Sequence, residues 1–343
     1  MSSFVTVGES VLWLSLVTLL AWLLTWQVRR YAAQRLLDLP NARSSHARPT
    51  PRGGGLAIVV CFLLALAGLS VAGTLPLPLL MALLALVPLS AIGFLDDHGH
   101  VPARWRLLIQ GVAAVWALWW IGGPERIDLG GQPHHIGGFG YLAGVFFIVW
   151  LLNLFNFMDG IDGIAGSETI FIAVAAAGLM TLWTTGPMAP EGCVALFLAA
   201  ATAGFLIWNW PPAKIFMGDV GSGVLGFVLA VLALWSATKG SLSLAVWLIL
   251  AGVFLVDATL TLVIRMWRGE CWYHAHRSHA YQHAARRWGN HCPVTLGVLA
   301  INVAWLLPLA GAAVVYPQWD WLLLPMAYLP LCLVAFRLGA GQP

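Results

Sequence analysis

The sequence predicts an all-α integral membrane protein, and three observations support this fold class. Of its 343 residues, 60% are hydrophobic and only 9% are charged, whereas about 25% of an average soluble domain is charged. No Asp, Glu, Lys, Arg or His occurs between Gly53 and Leu95. Unbroken apolar segments of about 20 residues indicate helices, because lipid leaves no other partner for their backbone groups. An ordinary soluble enzyme is therefore excluded.

Charge-poor segments predict about eleven membrane-spanning helices in chain order. They leave no room for a separate soluble domain, so we expect residues 1–343 to form one polytopic membrane domain. The first segment lacks the basic start of a signal peptide and is expected to remain as a helix. The predicted helices cover residues 7–27, 54–73, 77–95, 105–121, 139–157, 168–186, 192–208, 220–238, 242–264, 294–313 and 321–337.

The distribution of basic residues predicts how these helices are oriented. When loops are assigned alternately to the two sides, 15 of the 17 Lys and Arg residues fall on one side, and only Arg126 and Lys239 fall on the other. Basic loops usually remain in the cytoplasm. We therefore expect an external N-terminus and a cytoplasmic C-terminus. Segment 122–138, on the external side, is rich in Gly and Pro and is expected to form a small hairpin.

Five aspartates lie at predicted helix ends on the basic side. Carboxylates gathered there would repel one another and resist burial, so a divalent cation is expected between them. Oxygen ligands favour Mg²⁺, with Mn²⁺ as an alternative, over zinc. The other interpretation is that these carboxylates cap helices or pair with arginines. The five are Asp96, Asp97, Asp159, Asp162 and Asp219.

The spacing of these aspartates predicts which of them can act together. Asp159 and Asp162 share a face if their segment is helical. Asp96 and Asp97 are adjacent, and adjacent side chains diverge by about 100° on a helix. These two neighbours should therefore not share one role.

Two segments have the composition of phosphate sites. Lys214 to Gly223 is rich in glycine and precedes an apolar helix, whose free N–H groups are expected to face an anion. Small residues also serve helix packing in membranes. The first basic loop places cations beside a second helix start, where they either bind phosphate or only set the topology; its candidate binding residues are Arg43, His46 and Arg52.

A histidine-rich segment completes the basic side. Residues 265–293 are expected to form a cytoplasmic loop that holds five of the ten histidines. With Cys271 and Cys292 these could form a zinc module, but the spacing fits no zinc finger. Arg277, His279 and His283 are expected to contact phosphate or sugar from one helical face.

Three motifs, in order, resemble those of the polyprenyl-phosphate N-acetylhexosamine-1-phosphate transferases, the MraY/WecA-like members of glycosyltransferase family 4. Phe94-Leu95-Asp96-Asp97 is similar to the double-aspartate motif of that family. Asn156 to Gly163 is similar to its Asn-x-x-Asp-Gly-x-Asp-Gly motif. Asn209 with Phe216 to Ser222 is similar to its nucleotide and metal segment. The resemblance covers nearly the whole chain.

The resemblance implies roles for the matching residues. Asp219 would bind Mg²⁺, and the catalytic residues would be Asp96, Asp97 and His279. Apart from the resemblance, the composition of their segments makes Lys214 and the cations of the first loop candidates for substrate binding. The residues implied to hold the donor nucleotide are Asn156, Asp159, Asp162, Asn209 and Phe216.

The resemblance also implies substrates and location. A UDP-N-acetylhexosamine would react with undecaprenyl phosphate at the cytoplasmic face of a bacterial inner membrane, releasing UMP. Membrane lipid surrounds the protein, nucleic acid is not an expected partner, and a homodimer is compatible with the sequence. Two routes are open, direct attack by the lipid phosphate and a covalent aspartyl intermediate; we favour the first because the phosphate is largely dianionic at neutral pH.

One segment departs from the family pattern. Where many members have His-x-His-His, this chain has His279-Ala280-Tyr281-Gln282-His283. The sequence around it resembles the WbpL-like branch, which starts O-antigen or related surface polysaccharides. The donor sugar is then FucNAc, QuiNAc or GlcNAc. The rival function from another class is a multi-pass lipid or solute transporter, whose polar residues should line a path across the bilayer.

Overall fold

Helices form most of the chain. The computed structural model describes residues 7–40, 48–99, 101–129, 131–183, 188–270 and 276–342. Within these ranges the helices are α1 (Val7–Arg35), α2 (Gly55–Val71), α3 (Leu77–Leu83), α4 (Leu86–His98), α5 (Ala103–Ile121), α6 (Phe139–Met158), α7 (Ile164–Trp183), α8 (Pro190–Asn209), α9 (Asp219–Lys239), α10 (Leu244–Leu250), α11 (Gly252–Trp267), α12 (Ala280–Trp288), α13 (His291–Ile301), α14 (Leu307–Val315) and α15 (Asp320–Leu338). A π-helical turn, Asn302–Leu306, joins α13 to α14.

The structure confirms an all-α integral membrane protein. Each of the eleven predicted segments contains helix in its described part, although segments 77–95 and 242–264 are each divided into two helices and residues 184–186 lie outside the described residues. Eight helical segments in the described ranges are long and apolar enough to cross a membrane, and a ninth is added if α10 and α11, bent by 78°, form one span. The α2 helix is apolar but shorter than these spans. The count of eleven spans therefore stays a prediction.

The α9 helix lies at the centre of the bundle. Every residue from Val220 to Ser236 is buried, as expected for a helix that is apolar on all sides. It packs mainly against α6 and α4. Its first turn also approaches the start of α2 closely, because Gly55 and Gly221 face each other without side chains and a Cβ on either would collide with the other's Cα. This packing fixes the start of α9 beside two other helix ends.

Two small antiparallel strand pairs accompany the helices. The pair β1 (Leu37–Asp38) and β2 (Thr50–Pro51) was not predicted and folds the first basic loop back on itself. From there the chain pairs with the segment before α9, since Phe216 N–H donates to the Pro51 carbonyl at 2.8 Å. The second pair, β3 (Arg126–Leu129) and β4 (Gln132–His135), confirms the hairpin predicted in segment 122–138.

The orientation of the bundle in the membrane is a prediction that labelling can test. A single cysteine at position 48, in a cysteine-free background, is expected to react with an impermeant maleimide only after cells are opened. One at position 132, in the hairpin, should react in intact cells. The reason is the uneven distribution of Lys and Arg. The reversed pattern would overturn the topology.

Candidate active site

A cavity of about 340 Å³ opens where α4, α6 and α8 end and α7 and α9 begin. Most of the residues predicted from sequence to act in chemistry or binding line it, although they come from distant parts of the chain. Those lining the cavity are Arg52, Asp97, Asn156, Asp159, Asp162, Asn209, Phe216 and Asp219. The structure thus brings these eight predicted residues to one cavity.

Asp97 holds the start of α9. Its side chain is only 3% exposed, and its two carboxylate oxygens accept hydrogen bonds from the backbone N–H groups of Asp219 (3.2 Å) and Val220 (3.3 Å). Arg52 joins the same point, because its Nη2 donates to the Asp97 carbonyl at 2.6 Å. Gly218 has φ +76°, and a Cβ there would lie 2.5 Å from Asp97 Oδ2. Only glycine suits that position.

This arrangement corrects one expectation. The sequence predicts that the first N–H groups of α9 are free for a phosphate. In the structure the N–H groups of Asp219 and Val220 bind Asp97, and those of Gly221 and Ser222 bind the Gly218 carbonyl. A carboxylate of the protein therefore occupies the place of the predicted anion, as helix starts allow.

Asp96 diverges from Asp97, as its position on the helix predicts. Its Oδ1 accepts from Val101 N–H at 2.7 Å, and its Oδ2 accepts from Arg106 Nη1, also at 2.7 Å. The same Arg106 nitrogen lies 2.9 Å from Asp219 Oδ2. Asp96 does not line the large cavity; it reaches the site through Arg106.

Asp219 lies between the guanidinium of Arg106 and the side-chain amide of Asn156. Asn156 Nδ2 donates to Asp219 Oδ1 at 3.0 Å and to Ser222 Oγ at 2.9 Å. The Asp219 side chain is 33% exposed, far more than that of Asp97. Among these carboxylates it is thus well placed to meet a ligand that enters the cavity.

Asp159 and Asp162 lie in the turn between α6 and α7, which is not helical, so the shared helical face does not form. Both nevertheless line the cavity. Burial raises the pKa of the Asp159 carboxyl well above its ordinary value, and the carboxylates of Asp219, Asp97 and Asp162 raise it further. Carboxylates that repel one another in this way favour a bound cation.

Asn209 and Asp162 join two loops at the cavity wall. Asn209 Oδ1 accepts from Gly163 N–H at 2.9 Å, and its Nδ2 donates to the Ile215 carbonyl at 2.9 Å. Asp162 Oδ2 accepts from Ala213 N–H at 2.9 Å. These contacts hold the loop after α8 against the turn before α7.

The histidine-rich segment differs from the expectation. Residues 265–293 contain α12 and the start of α13, while residues 271–275, with Cys271, lie outside the described residues. Because α12 begins at Ala280, Arg277 and His279 precede it and share no helical face with His283. His279 is 2% exposed and does not line the large cavity. Its implied role in catalysis stays a prediction.

Other members of this segment also lie away from the cavity. The His283 ring contacts Arg286 (2.9 Å) and the Gln342 carbonyl (3.3 Å). Burial and then Arg286 lower the pKa of His283, and burial, His279 and Arg265 lower that of His276 to about 4. These imidazoles are thus neutral at pH 7 and supply no positive charge for a phosphate. Arg277 does not line the cavity either.

Three further predicted residues are not placed in the cavity. Lys214 is exposed, and its Nζ lies 5.4 Å from the centre of the Trp208 ring, outside the cavity lining. Arg43 and His46 lie outside the described residues. For Lys214 the physical reason is that the loop after α8 turns its side chain toward the indole.

Sequence reasoning missed several residues in or near the site. Asp257 accepts from the N–H groups of Ala280 (2.8 Å) and Tyr281 (2.9 Å) and so fixes the start of α12; an acidic residue inside an apolar helix was the available signal. His291 and Gln282 line the cavity. Nothing in the sequence distinguished Arg106 from the other basic residues on the same predicted side of the membrane.

His291 lines the cavity and contacts Asp162. Its Nδ1 lies 3.2 Å from Asp162 Oδ1 and 3.3 Å from the Asp162 backbone nitrogen. His291 is the first residue of α13, and Asn290 caps that helix by accepting from Cys292 N–H. The imidazole is therefore held firmly at the end of the cavity that Gln282 also lines.

The residues present fit a magnesium ion that shares its ligands with a substrate. Mg²⁺ is usually bound by one or two carboxylates, with water and phosphate oxygens completing its shell. The described residues contain no group of three or more His, Cys, Asp or Glu side chains arranged as a complete metal site. Asp219 Oδ2 already has a cation, the Arg106 guanidinium, as its neighbour. This point therefore accommodates positive charge.

The fold and the cavity define a class, an all-α integral membrane protein with an acidic, oxygen-rich site at one end of its bundle. The profile of glycosyl transferase family 4 matches residues 79–237, which run from α3 into α9. A probable undecaprenyl-phosphate N-acetylglucosaminyl 1-phosphate transferase of Bacillus subtilis (strain 168) is 31% identical over 262 residues, 74% of this chain and 70% of the relative. The chain belongs to the MraY/WecA-like glycosyl transferase family 4.

Two further relatives agree with this membership. A phospho-N-acetylmuramoyl-pentapeptide-transferase of Kineococcus radiotolerans is 29% identical over 351 residues, 86% of this chain and 92% of the relative. One of Moorella thermoacetica with the same name is 30% identical, over 70% of this chain and 76% of the relative. The similarity thus extends along most of the chain.

Proposed function

We propose that this protein transfers an N-acetylhexosamine-1-phosphate from its UDP-sugar to undecaprenyl phosphate in the bacterial inner membrane, releasing UMP. The observation that carries the proposal is the cavity in which the three family motifs converge at helix ends. A donor that is soluble in water and an acceptor that stays in lipid can meet only at a membrane face. A site at one end of the bundle meets that requirement.

The reaction is a phosphoryl transfer in one displacement. An oxygen of the lipid phosphate attacks the sugar-linked phosphorus, a new P–O bond forms, and the bond to the UMP phosphate breaks. When bound, Mg²⁺ or Mn²⁺ would supply charge neutralisation for the diphosphate and the departing UMP. Asp219 would hold that cation, and Asp159 and Asp162 would face the nucleotide. Asn209 and Phe216 shape the uridine side of the cavity.

The contacts of the double aspartate favour direct attack over a covalent aspartyl intermediate. The Asp97 carboxylate binds two backbone N–H groups, and Asp96 binds Arg106 and Val101 N–H. A carboxylate engaged by hydrogen bonds to both oxygens is a poor nucleophile. We therefore assign both residues to positioning. Asp97 positions the start of α9, and Asp96 positions Arg106 on the acceptor side.

The placement of the charged residues argues against a transporter. A transport path needs polar residues at several depths of the bundle. The aspartates of the site lie together at one end, while α9 is buried and apolar from Val224 to Trp235. A donor panel with purified protein, undecaprenyl phosphate and Mg²⁺ tests the proposal. UMP release that does not depend on the lipid would overturn it.

The donor sugar is proposed to be a deoxy sugar, FucNAc or QuiNAc, with GlcNAc as the alternative, for O-antigen or related polysaccharide synthesis of the WbpL type. Tyr281 and Gln282 stand where many members have histidines. Tyr281 Oη donates to the Phe157 carbonyl at 2.9 Å, beneath the turn that bears Asp159, and Gln282 lines the cavity. The departure from the family pattern thus adjoins the site directly.

Exchanging this segment should change the sugar preference. We expect that replacing residues 267–288 with the corresponding segment of a GlcNAc-specific relative raises use of UDP-GlcNAc relative to the deoxy sugars, while the requirement for uridine persists. The ratios of kcat/KM over the donor panel measure this. An active chimera with unchanged ratios would place the selectivity elsewhere.

A further inference from the structure

Arg106 places a positive charge between two carboxylates of the site. Its Nη1 bridges two carboxylates, Asp96 Oδ2 at 2.7 Å and Asp219 Oδ2 at 2.9 Å. Two carboxylates near one another disfavour each other's charged form, and a shared guanidinium offsets this effect. The guanidinium therefore neutralises the point at which the proposed function requires a divalent ion.

The bridge can open without isolating the arginine. The Asp96 side chain is 12% exposed and the Asp219 side chain 33%, so the Asp219 end of the bridge is the more accessible to solvent. Asp96 is fixed independently by Val101 N–H at 2.7 Å. If a cation takes Asp219 Oδ2, Arg106 keeps Asp96 as its partner.

The space beside the bridge also suits such an exchange. A smaller cavity of about 60 Å³ is lined by Arg106, Gln110, Asn153, Asn156 and Asp219. Gln110 and Asn153 already form a hydrogen bond with each other at 2.8 Å. A guanidinium that leaves Asp219 thus has polar side chains and open space next to it.

We propose that Arg106 is an exchangeable counter-ion, which holds Asp219 in the free protein and is displaced from it by the divalent cation. The inference rests on the proposed function, since that function places the cation at Asp219. It explains why a site with several carboxylates can fold before a metal binds. It also gives the two neighbouring aspartates separate tasks, with Asp96 retaining the arginine that Asp219 releases.

Binding of Mn²⁺ to the purified full chain, without either substrate, tests the exchange. Free Mn²⁺ is measured by electron paramagnetic resonance for wild type, R106Q and R106K. We expect R106Q to bind Mn²⁺ about five-fold more tightly or better, the factor that a partly exposed ion pair can contribute, and R106K to lie nearer to wild type. The melting temperature of R106Q should be lower than that of wild type without Mn²⁺ and should rise more when Mn²⁺ is added.

The control is R104Q, because Arg104 lies on the same helix and is exposed beside Trp105. It should change neither Mn²⁺ affinity nor the melting temperature. Unchanged or weaker binding by R106Q, or no Mn²⁺ binding by wild type and R106Q alike, would overturn the exchange. If D219N still binds Mn²⁺ like wild type, the metal assignment of the proposed function fails instead.

Discussion

Replacing Asp219 by Asn is expected to lower turnover by about 100-fold or more while the protein stays folded. The substitution keeps the size of the side chain, and an amide oxygen still accepts from Asn156, which lies 3.0 Å away. The lost feature is the negative charge that holds the cation. Removing one group that stabilises charge in a transition state typically costs a few kcal/mol, or about 10²-fold and more in rate.

The measurement is kcat with donor, undecaprenyl phosphate and saturating Mg²⁺, together with the melting temperature. E125Q is the matched control, because Glu125 is an exposed carboxylate at the base of the β3–β4 hairpin, outside the cavity lining. Wild type should lose activity when EDTA is added and recover it with Mg²⁺ or Mn²⁺. Near-normal, Mg²⁺-dependent turnover by D219N would refute the assignment of Asp219.

Much of the fold could be predicted because lipid imposes a simple rule on apolar segments. A segment with few charges forms helix, and the described residues contain helix within all eleven predicted segments. The 78° bend between α10 and α11 could not be predicted. The apolar run continues through Ala251, so nothing in the composition marks the break.

The candidate site was predictable in its location and less so in its contacts. Polar motifs predicted at helix ends on one side of the membrane lie around one cavity. Which carboxylate meets a ligand and which meets the backbone depends on tertiary contacts, since Asp97 caps a helix that starts 122 residues later. Asp257 caps α12 in the same manner from another helix. Local spacing carries no information on such pairs.

The second large effect is expected from substitution of the two neighbouring aspartates. D97N and D96N should change stability and activity in different ways. Asp97 is buried and uses both carboxylate oxygens on the start of α9. Asparagine has one acceptor oxygen, so one N–H group must face the NH₂ group of the new side chain. Leaving a buried donor unpaired costs about 1–3 kcal/mol. We expect a lower melting temperature, displacement of Asp219 and a loss of kcat of about 100-fold.

D96N should leave the melting temperature closer to wild type. The amide oxygen of the substituted side chain can still accept from Val101 N–H, and Arg106 retains its 2.9 Å pair with Asp219. What changes is the charge beside Arg106, which then binds Asp219 without a competing partner. If Asp96 positions Arg106 on the acceptor side, D96N raises the KM for undecaprenyl phosphate more than the KM for the donor. Melting curves and separate KM values for both substrates distinguish the two variants, and equal defects in every measurement would remove the case for separate roles.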